Sequence, residues 1–235
     1  MENVIGIIGG MGPEAGCHLH QKIIQYTSVQ KDQDHLEIIL HTNSKVPDRT
    51  LAILNKGENP VKEINRSINL LEKAGVNIIV IACVTAHYFA DKFIFKSKTK
   101  FINIVEISAA YVAKNHPEIK RVGMLATSGT VKSGFIPKLF YSCGIEIVTP
   151  NESDQSDLVM SAIYGNDGIK KGIKSEIPKK KLMTMVKKLK EKNCQGILAA
   201  CTEVPLVLNQ FDMDIPFFDV MDICAKYLTE NYARV

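Results

Sequence analysis

The chain repeats itself. The segment VIGIIGGMGPEAG, from Val4, matches in pattern RVGMLATSGTVKSG, from Arg121, and setting Gly6 on Gly123 gives an offset of 117. A second pair, IACVT around Cys83 and AACTE around Cys201, matches at an offset of 118. Two separate echoes whose spacings agree within one residue predict two homologous halves, which constrains the fold more than any composition value. The first half is placed at residues 1–112 and the second at 113–215, with no Pro/Gly/Ser-rich linker between them. The remainder, 216–235, carries a helix over Val220 to Tyr232 that is expected to pack back on the first half.

Within each half, short β-rich runs alternate with helical patterns. The runs are Val4 to Ile8, Leu36 to His41, Ile78 to Ala82, Phe101 to Val105, Arg121 to Leu125, Ile145 to Thr149 and Gly196 to Ala200. Turn residues bound them, and helical stretches follow, which predicts βαβ units and mostly parallel sheet. The clearest helix starts at Asn59 with Pro60 in its first turn, carries Ile64, Ile68 and Leu71 at helical spacing, and stops at Gly75. The lysine-rich segment Pro178 to Asn193 sets Leu182, Met185, Val186 and Leu189 on one face, so its lysines form the wet face. Without interleaved aromatics it offers bases no stacking surface, and no nucleic-acid partner is expected.

With 235 residues and 46% hydrophobic content the chain can fill a sizeable core. A net charge of +4 gives no case for a polyanionic or membrane partner. No apolar run approaches the roughly 20 residues a bilayer span needs, and Glu2 stands where a signal peptide carries positive charge, so a cytoplasmic chain is expected. The six cysteines form no CxxC pair, and a reducing compartment keeps them as thiols. His18 and His20 do not share a helix face, so no metal is expected.

Cys83 and Cys201 each follow an apolar strand, where an open α/β sheet exposes side chains at its carboxyl edge. If the halves face each other, so do these thiols. Two thiols suit proton removal from one face of a carbon and proton return to the other, with roles exchanged for the reverse reaction. A cysteine at a strand end is commonly a small core hydrophobe. The matched position in both halves argues against that for this pair, whereas Cys17, Cys143, Cys194 and Cys224 have no counterpart. His87 and Glu203, just beyond the two cysteines, are candidates to tune thiol ionisation, with helix surface as the alternative.

GMGPEA fits the dinucleotide-binding pattern G-x-G-x-x-[G/A], so a nicotinamide-dependent oxidoreductase is a rival reading. That reading needs an acid at the end of the second strand to hold the ribose, and the chain has His41, Thr42 and Asn43 there. The loop suits a smaller anion held on backbone N–H groups.

Taken in order, GIIGGMGPEA, HTNSKVPDRT, IACVTAH, ATSGTVKSG, IYGNDGIKKG and AACTEVPL resemble the signature blocks of the aspartate/glutamate racemase superfamily, nearest its aspartate racemase branch. The resemblance runs from Gly6 to about Leu206. It implies two Rossmann-like (flavodoxin-like) α/β subdomains related by a pseudo-two-fold, an active site in the cleft between them, and a homodimer. It also implies inversion of an acidic amino acid, aspartate first and glutamate second, without any cofactor. Cys83 and Cys201 match the catalytic cysteines, and Met11, Gly12 and Pro13 the loop whose backbone touches substrate. Thr85 and Thr202 match residues that hold the carboxylate or amino group at the reacting carbon. Arg49 and Lys170 match the cations that hold the distal carboxylate, with Lys171 as an alternative to Lys170. Thr127 and Thr130, in the second half's counterpart of the glycine loop, are hydroxyl donors or turn and capping residues; Val84 and Glu203 are also expected to line the substrate site. The chain departs from the family pattern at Val84, where Asn is common, and at Gly16, where Thr is frequent. These departures leave open a non-catalytic acidic-amino-acid binding protein of the same fold.

Overall fold

Strand runs buried on both faces must lie inside a parallel sheet covered by helices. The structure, a computed structural model describing residues 3–96 and 98–233, contains two such sheets. The acidic start at Glu2 and the last two residues of the tail segment lie outside the described residues. One sheet holds β1 (Val4–Gly9), β2 (Glu37–Thr42), β3 (Ile78–Ile81) and β4 (Lys100–Ile102) in the order β2-β1-β3-β4. The other holds β5 (Arg121–Leu125), β6 (Glu146–Val148), β7 (Gly196–Ala199) and β8 (Phe217–Asp219) in the order β6-β5-β7-β8. Every pairing is parallel. The chain divides into two compact units, residues 1–107 with 221–235, and 108–220, where the sequence places the divisions after 112 and 215.

In the first unit, Ile5, Ile7 and Ile8 of β1 and Ile79, Val80 and Ile81 of β3 are fully buried. The helix Val61–Lys73 covers Ile8, Ile79 and Ile81 with Ile64, Ile68 and Leu71. Pro60 is its N-cap, one residue later than the sequence suggests, and Asn59 Oδ1 accepts a hydrogen bond from Val61 N at 2.9 Å. In the second unit the lysine-rich helix, Glu176–Glu191, buries Leu182, Met185, Val186 and Leu189 against β7. Gly6 and Gly123, the pair that sets the repeat offset, explain the echo. A Cβ on Gly6 would lie 2.9 Å from Leu71 Cδ1, and one on Gly123 2.9 Å from Leu189 Cδ1. In each unit a bare backbone at this point lets one helix pack directly on the sheet.

Two further sequence expectations differ from the structure. The strand read over Phe101 to Val105 ends at Ile102, because Asn103 Oδ1 accepts from Val105 N at 3.0 Å and starts the helix Ile104–Asn115. The tail segment from 216 is not all helix: Phe217–Asp219 forms β8 against β7 before the helix Val220–Tyr232 begins. That last helix belongs to the first unit from Met221 onward. Its Asp222 accepts from Lys22 Nζ at 2.9 Å and from the Tyr26 hydroxyl, both on the helix Pro13–Tyr26.

Candidate active site

In sheets of this order the chain leaves two adjacent inner strands in opposite directions, which opens a crevice at their carboxyl ends. Those strands are β1 and β3 in the first unit, β5 and β7 in the second. Cys83 lies two residues past the end of β3, and Cys201 two residues past the end of β7. Each is 4% exposed. Each carbonyl accepts from the amide three residues on, Ala86 N at 3.2 Å and Val204 N at 3.0 Å, so both cysteines open a tight turn.

The first unit builds its crevice from the glycine loop and the PDRT segment. Gly10 has φ +95°, and a Cβ there would fall 2.2 Å from the Asn43 carbonyl carbon. Asn43 is 3% exposed; its amide donates to Gly9 O at 3.2 Å and its Nδ2 to Ser67 Oγ at 3.0 Å. It thereby ties the loop end of β1 to the Val61–Lys73 helix. Met11 is buried, Gly12 is the N-cap of Pro13–Tyr26, and Pro13 takes the first helical turn. A Cβ on Gly16 would meet Gly9 Cα at 3.2 Å and Leu40 Cδ1 at 3.0 Å, so any side chain here would have to push helix and strand apart by a few tenths of an ångström. Arg49 is 8% exposed and opens the helix Arg49–Ile53, capped by Asp48 Oδ1 from Leu51 N at 2.8 Å. Its guanidinium donates to Met11 O at 2.8 Å, Pro47 O at 3.1 Å and Val46 O at 3.4 Å. Arg49 thus fastens the glycine loop, a role its sequence position does not announce.

Met11, Val46 and Cys83 share one apolar cluster. Val84 and Thr85 follow Cys83 in the 3-10 helix Val84–Lys92, both buried. His87 does not address the thiol. Its Nε2 accepts from Ile104 N at 3.4 Å, which leaves Nδ1 to donate to Cys83 O at 2.9 Å. Burial pushes the imidazole down to about 4, partly offset by its backbone hydrogen bonds, so it is neutral at pH 7. Stacked on Phe101 at 5.6 Å, it fixes the cysteine's backbone.

The second unit gathers charge instead. The Cys201 thiol donates to Glu203 Oε2 at 3.0 Å, and the Thr202 hydroxyl reaches the same oxygen at 3.2 Å. Lys170 Nζ lies 2.5 Å from Glu203 Oε1 and 5.4 Å from the centre of the Tyr164 ring. Glu203 and Thr202 are 4% and 1% exposed. Burial first, then the Glu203 carboxylate, push the Cys201 thiol well above the usual thiol range, while Lys170 pulls it down. Lys171 instead reaches Asn166 Oδ1 at 3.1 Å on the exposed side. Of the two lysines, Lys170 is the one beside the cysteine. Thr127 is the N-cap of Ser128–Ser133 but makes no side-chain cap; its hydroxyl and that of Thr130 share a hydrogen bond of 3.2 Å. Sequence reasoning missed Gln155. Its Nε2 donates to Ala126 O at 2.9 Å just past β5, and its buried Oε1 has no hydrogen-bond partner among the described residues.

No cluster of three or more His, Cys, Asp or Glu able to hold a metal occurs among the described residues. Nor is any helix among them long and apolar enough to cross a membrane.

A duplicated parallel α/β fold with a buried thiol past the equivalent inner strand of each copy defines a narrow class of proteins. The chain belongs to the Asp/Glu/hydantoin racemase family, whose model matches residues 8–228. The broad specificity amino-acid racemase RacX of Bacillus subtilis is 25% identical, over 97% of this chain and 98% of its own. The aspartate racemase of Picrophilus torridus superposes with a TM-score of 0.84 at 28% identity, covering 98% of this chain and 94% of that one. An aspartate racemase homologue from Pyrococcus horikoshii, at 23% identity, shares the fold over 100% of both chains with a TM-score of 0.76. Membership of a racemase family, with the glycine loop inside the match, leaves the dinucleotide-binding reading of GMGPEA without support.

Proposed function

We propose that this racemase inverts the α-carbon of aspartate, with glutamate as second substrate, by proton exchange between that carbon and Cys83 and Cys201, without a cofactor. The observation that carries the reading is the equivalence of the two thiols: same strand of the same sheet order, same step past its end, same burial. One cysteine, as thiolate, takes the α-proton: the C–H bond breaks, an S–H bond forms, and the electron pair stays on carbon. The other thiol returns a proton to the opposite face and becomes thiolate. The substrate ammonium and preorganised donors of the site offset the developing charge.

Arg49 and Lys170 supply cations for the distal carboxylate, and the Met11, Gly12 and Pro13 loop and Thr85 and Thr202 surround the reacting carbon. Thr127 and Thr130 complete the far edge, and Gln155 Oε1 adds an acceptor suited to an ammonium group. A wider range of amino acids is the second reading. It is favoured by Val84, an apolar side chain beside Cys83 where the family often has a polar amide, and it fits the name borne by the Bacillus subtilis relative.

Purified protein incubated with each L-amino acid in deuterium oxide and analysed by chiral chromatography and mass spectrometry tests both readings. D-aspartate carrying one α-deuterium is expected, unchanged by exhaustive dialysis. Cys83→Ala and Cys201→Ala should each lower the rate by about 10²- to 10⁴-fold or more. Full activity in either variant would refute the two-thiol mechanism. Aspartate binding without any turnover would make the protein a binding module.

A further inference from the structure

The two cysteines occupy equivalent places in different company. Counted from each cysteine, Val84 corresponds to Thr202 and Thr85 to Glu203. The second residue past the thiol is therefore a neutral hydroxyl in one unit and a carboxylate in the other. That carboxylate is built in. One oxygen is anchored by Lys170 at 2.5 Å, and the other accepts from Cys201 Sγ at 3.0 Å and Thr202 Oγ1 at 3.2 Å. With 4% exposure, little water is available to screen it.

A carboxylate accepts a hydrogen bond from a thiol and has none to accept from a thiolate. Loss of the Cys201 proton would set two negative centres about 3 Å apart in a dry pocket, a repulsion that persists unless a cation offsets it. Lys170 is that cation, held against Tyr164 on the other side of the carboxylate. The Glu203 backbone N–H also donates toward the sulfur and favours the thiolate. Glu203 and Lys170 are thus opposed charges acting on one sulfur, with Tyr164 the titratable ring against the lysine.

We propose that Glu203 is a positioning residue that keeps the resting proton on Cys201, so that the second unit enters the reaction as the acid and Cys83 as the base. In this form the α C–H bond breaks onto Cys83, and the Cys201 proton passes to carbon. The product complex carries its proton on Cys83. Cys83 then loses a proton to water while Cys201 gains one, restoring the resting form. Lys170 keeps the transient Cys201 thiolate accessible. The turnover sequence rests on the two-thiol reading, whereas the position of the resting proton can be measured without turnover.

The experiment is a pH titration of the full chain labelled with ¹³Cβ-cysteine, read by NMR, the Cys201 signal being assigned by its loss in Cys201→Ala. In the wild type that signal should stay at the thiol position beyond the range of an ordinary cysteine. Glu203→Gln should lower its midpoint by at least about one pH unit, and Lys170→Met should raise it, opposite signs that general loosening of the fold would not produce. If Glu203→Gln does not fold, Lys170→Met still decides the matter by its sign. A midpoint unmoved in Glu203→Gln, a signal still thiol at the alkaline limit in both proteins, or a lowered midpoint in Lys170→Met would overturn the proposal. In a protein that racemises, the alkaline limb of kcat/KM should move with the NMR midpoint. A protein with the expected titrations and no turnover would sink the racemase reading and leave the proton assignment standing.

Discussion

Truncating Arg49 to alanine separates a structural from a ligand-binding role for that residue. The guanidinium donates to Met11 O at 2.8 Å and Pro47 O at 3.1 Å, whereas the contact to Val46 O, at 3.4 Å, is too long to add much. A hydrogen bond from a charged donor is worth about 1.5 to 3 kcal/mol. Water entering the vacated space would recover part of that, so the expected cost is about 2 to 4 kcal/mol for the first unit. At a denaturant dependence of about 2 kcal/mol per molar urea, the unfolding midpoint should fall by about 1 to 2 M. If the two units unfold in separate transitions by circular dichroism, only the one containing Arg49 should move. Arg49→Lys, which keeps the charge but not the fork, should recover roughly half the stability. Hydrogen exchange should show faster opening of the glycine loop in the alanine variant, and KM for the racemised amino acid should rise in both. A stability loss below about 1 kcal/mol with the loop still protected would refute the claim that Arg49 fastens it.

Burial holds His87 down at about 4, from an ordinary 6.5. Between those values the unfolded chain takes up a proton that the folded chain refuses, so this contribution is whole above pH 6.5 and is lost as pH falls toward 4. The loss amounts to about 3 kcal/mol at most. Urea midpoints should depend less on pH across that window in His87→Gln than in the wild type; equal slopes would refute a buried neutral imidazole. Gly10→Ala places a Cβ 2.2 Å from backbone at a φ of +95°. It should cost at least about 3 kcal/mol and abolish ordered Met11 and Gly12 amides, measured by thermal unfolding and hydrogen exchange; a variant of wild-type stability would show the loop free to rearrange.

What was legible in the sequence was whatever depended on nearest neighbours along the chain. Seven of the eight strands among the described residues announce themselves as short apolar runs between turn residues, and Gly6 and Gly123 preserve the repeat because each lies under a leucine of its covering helix. The missed strand, Phe217–Asp219, is three residues long and is defined by its pairing with β7, which no local pattern records. At the site the cysteines were legible through the repeat, but the Lys170–Glu203 pair spans 33 residues. The loop-fastening role of Arg49 reaches back 38 residues to Met11 O. Gln155 had no signal, since its side-chain bonds reach back 29 residues to Ala126 O and 27 residues to Ser128 Oγ.

Val84, the most conspicuous departure from the family pattern, has a physical reading in the register of the two turns. Its counterpart Thr202, 1% exposed, gives its hydroxyl to the Glu203 carboxylate. A buried acceptor with Lys170 on one oxygen and a thiol on the other gains from that further donor, which in turn leaves the Thr202 hydroxyl partnered. In the first unit the residue in Glu203's place is Thr85, and no carboxylate needs the donor. An apolar side chain at 84, 1% exposed, therefore leaves no hydrogen bond of that kind unmade. Val84 with Thr85, and Thr202 with Glu203, are two self-consistent solutions to burying the residues after a thiol: one keeps the turn neutral, and the other concentrates charge on the sulfur.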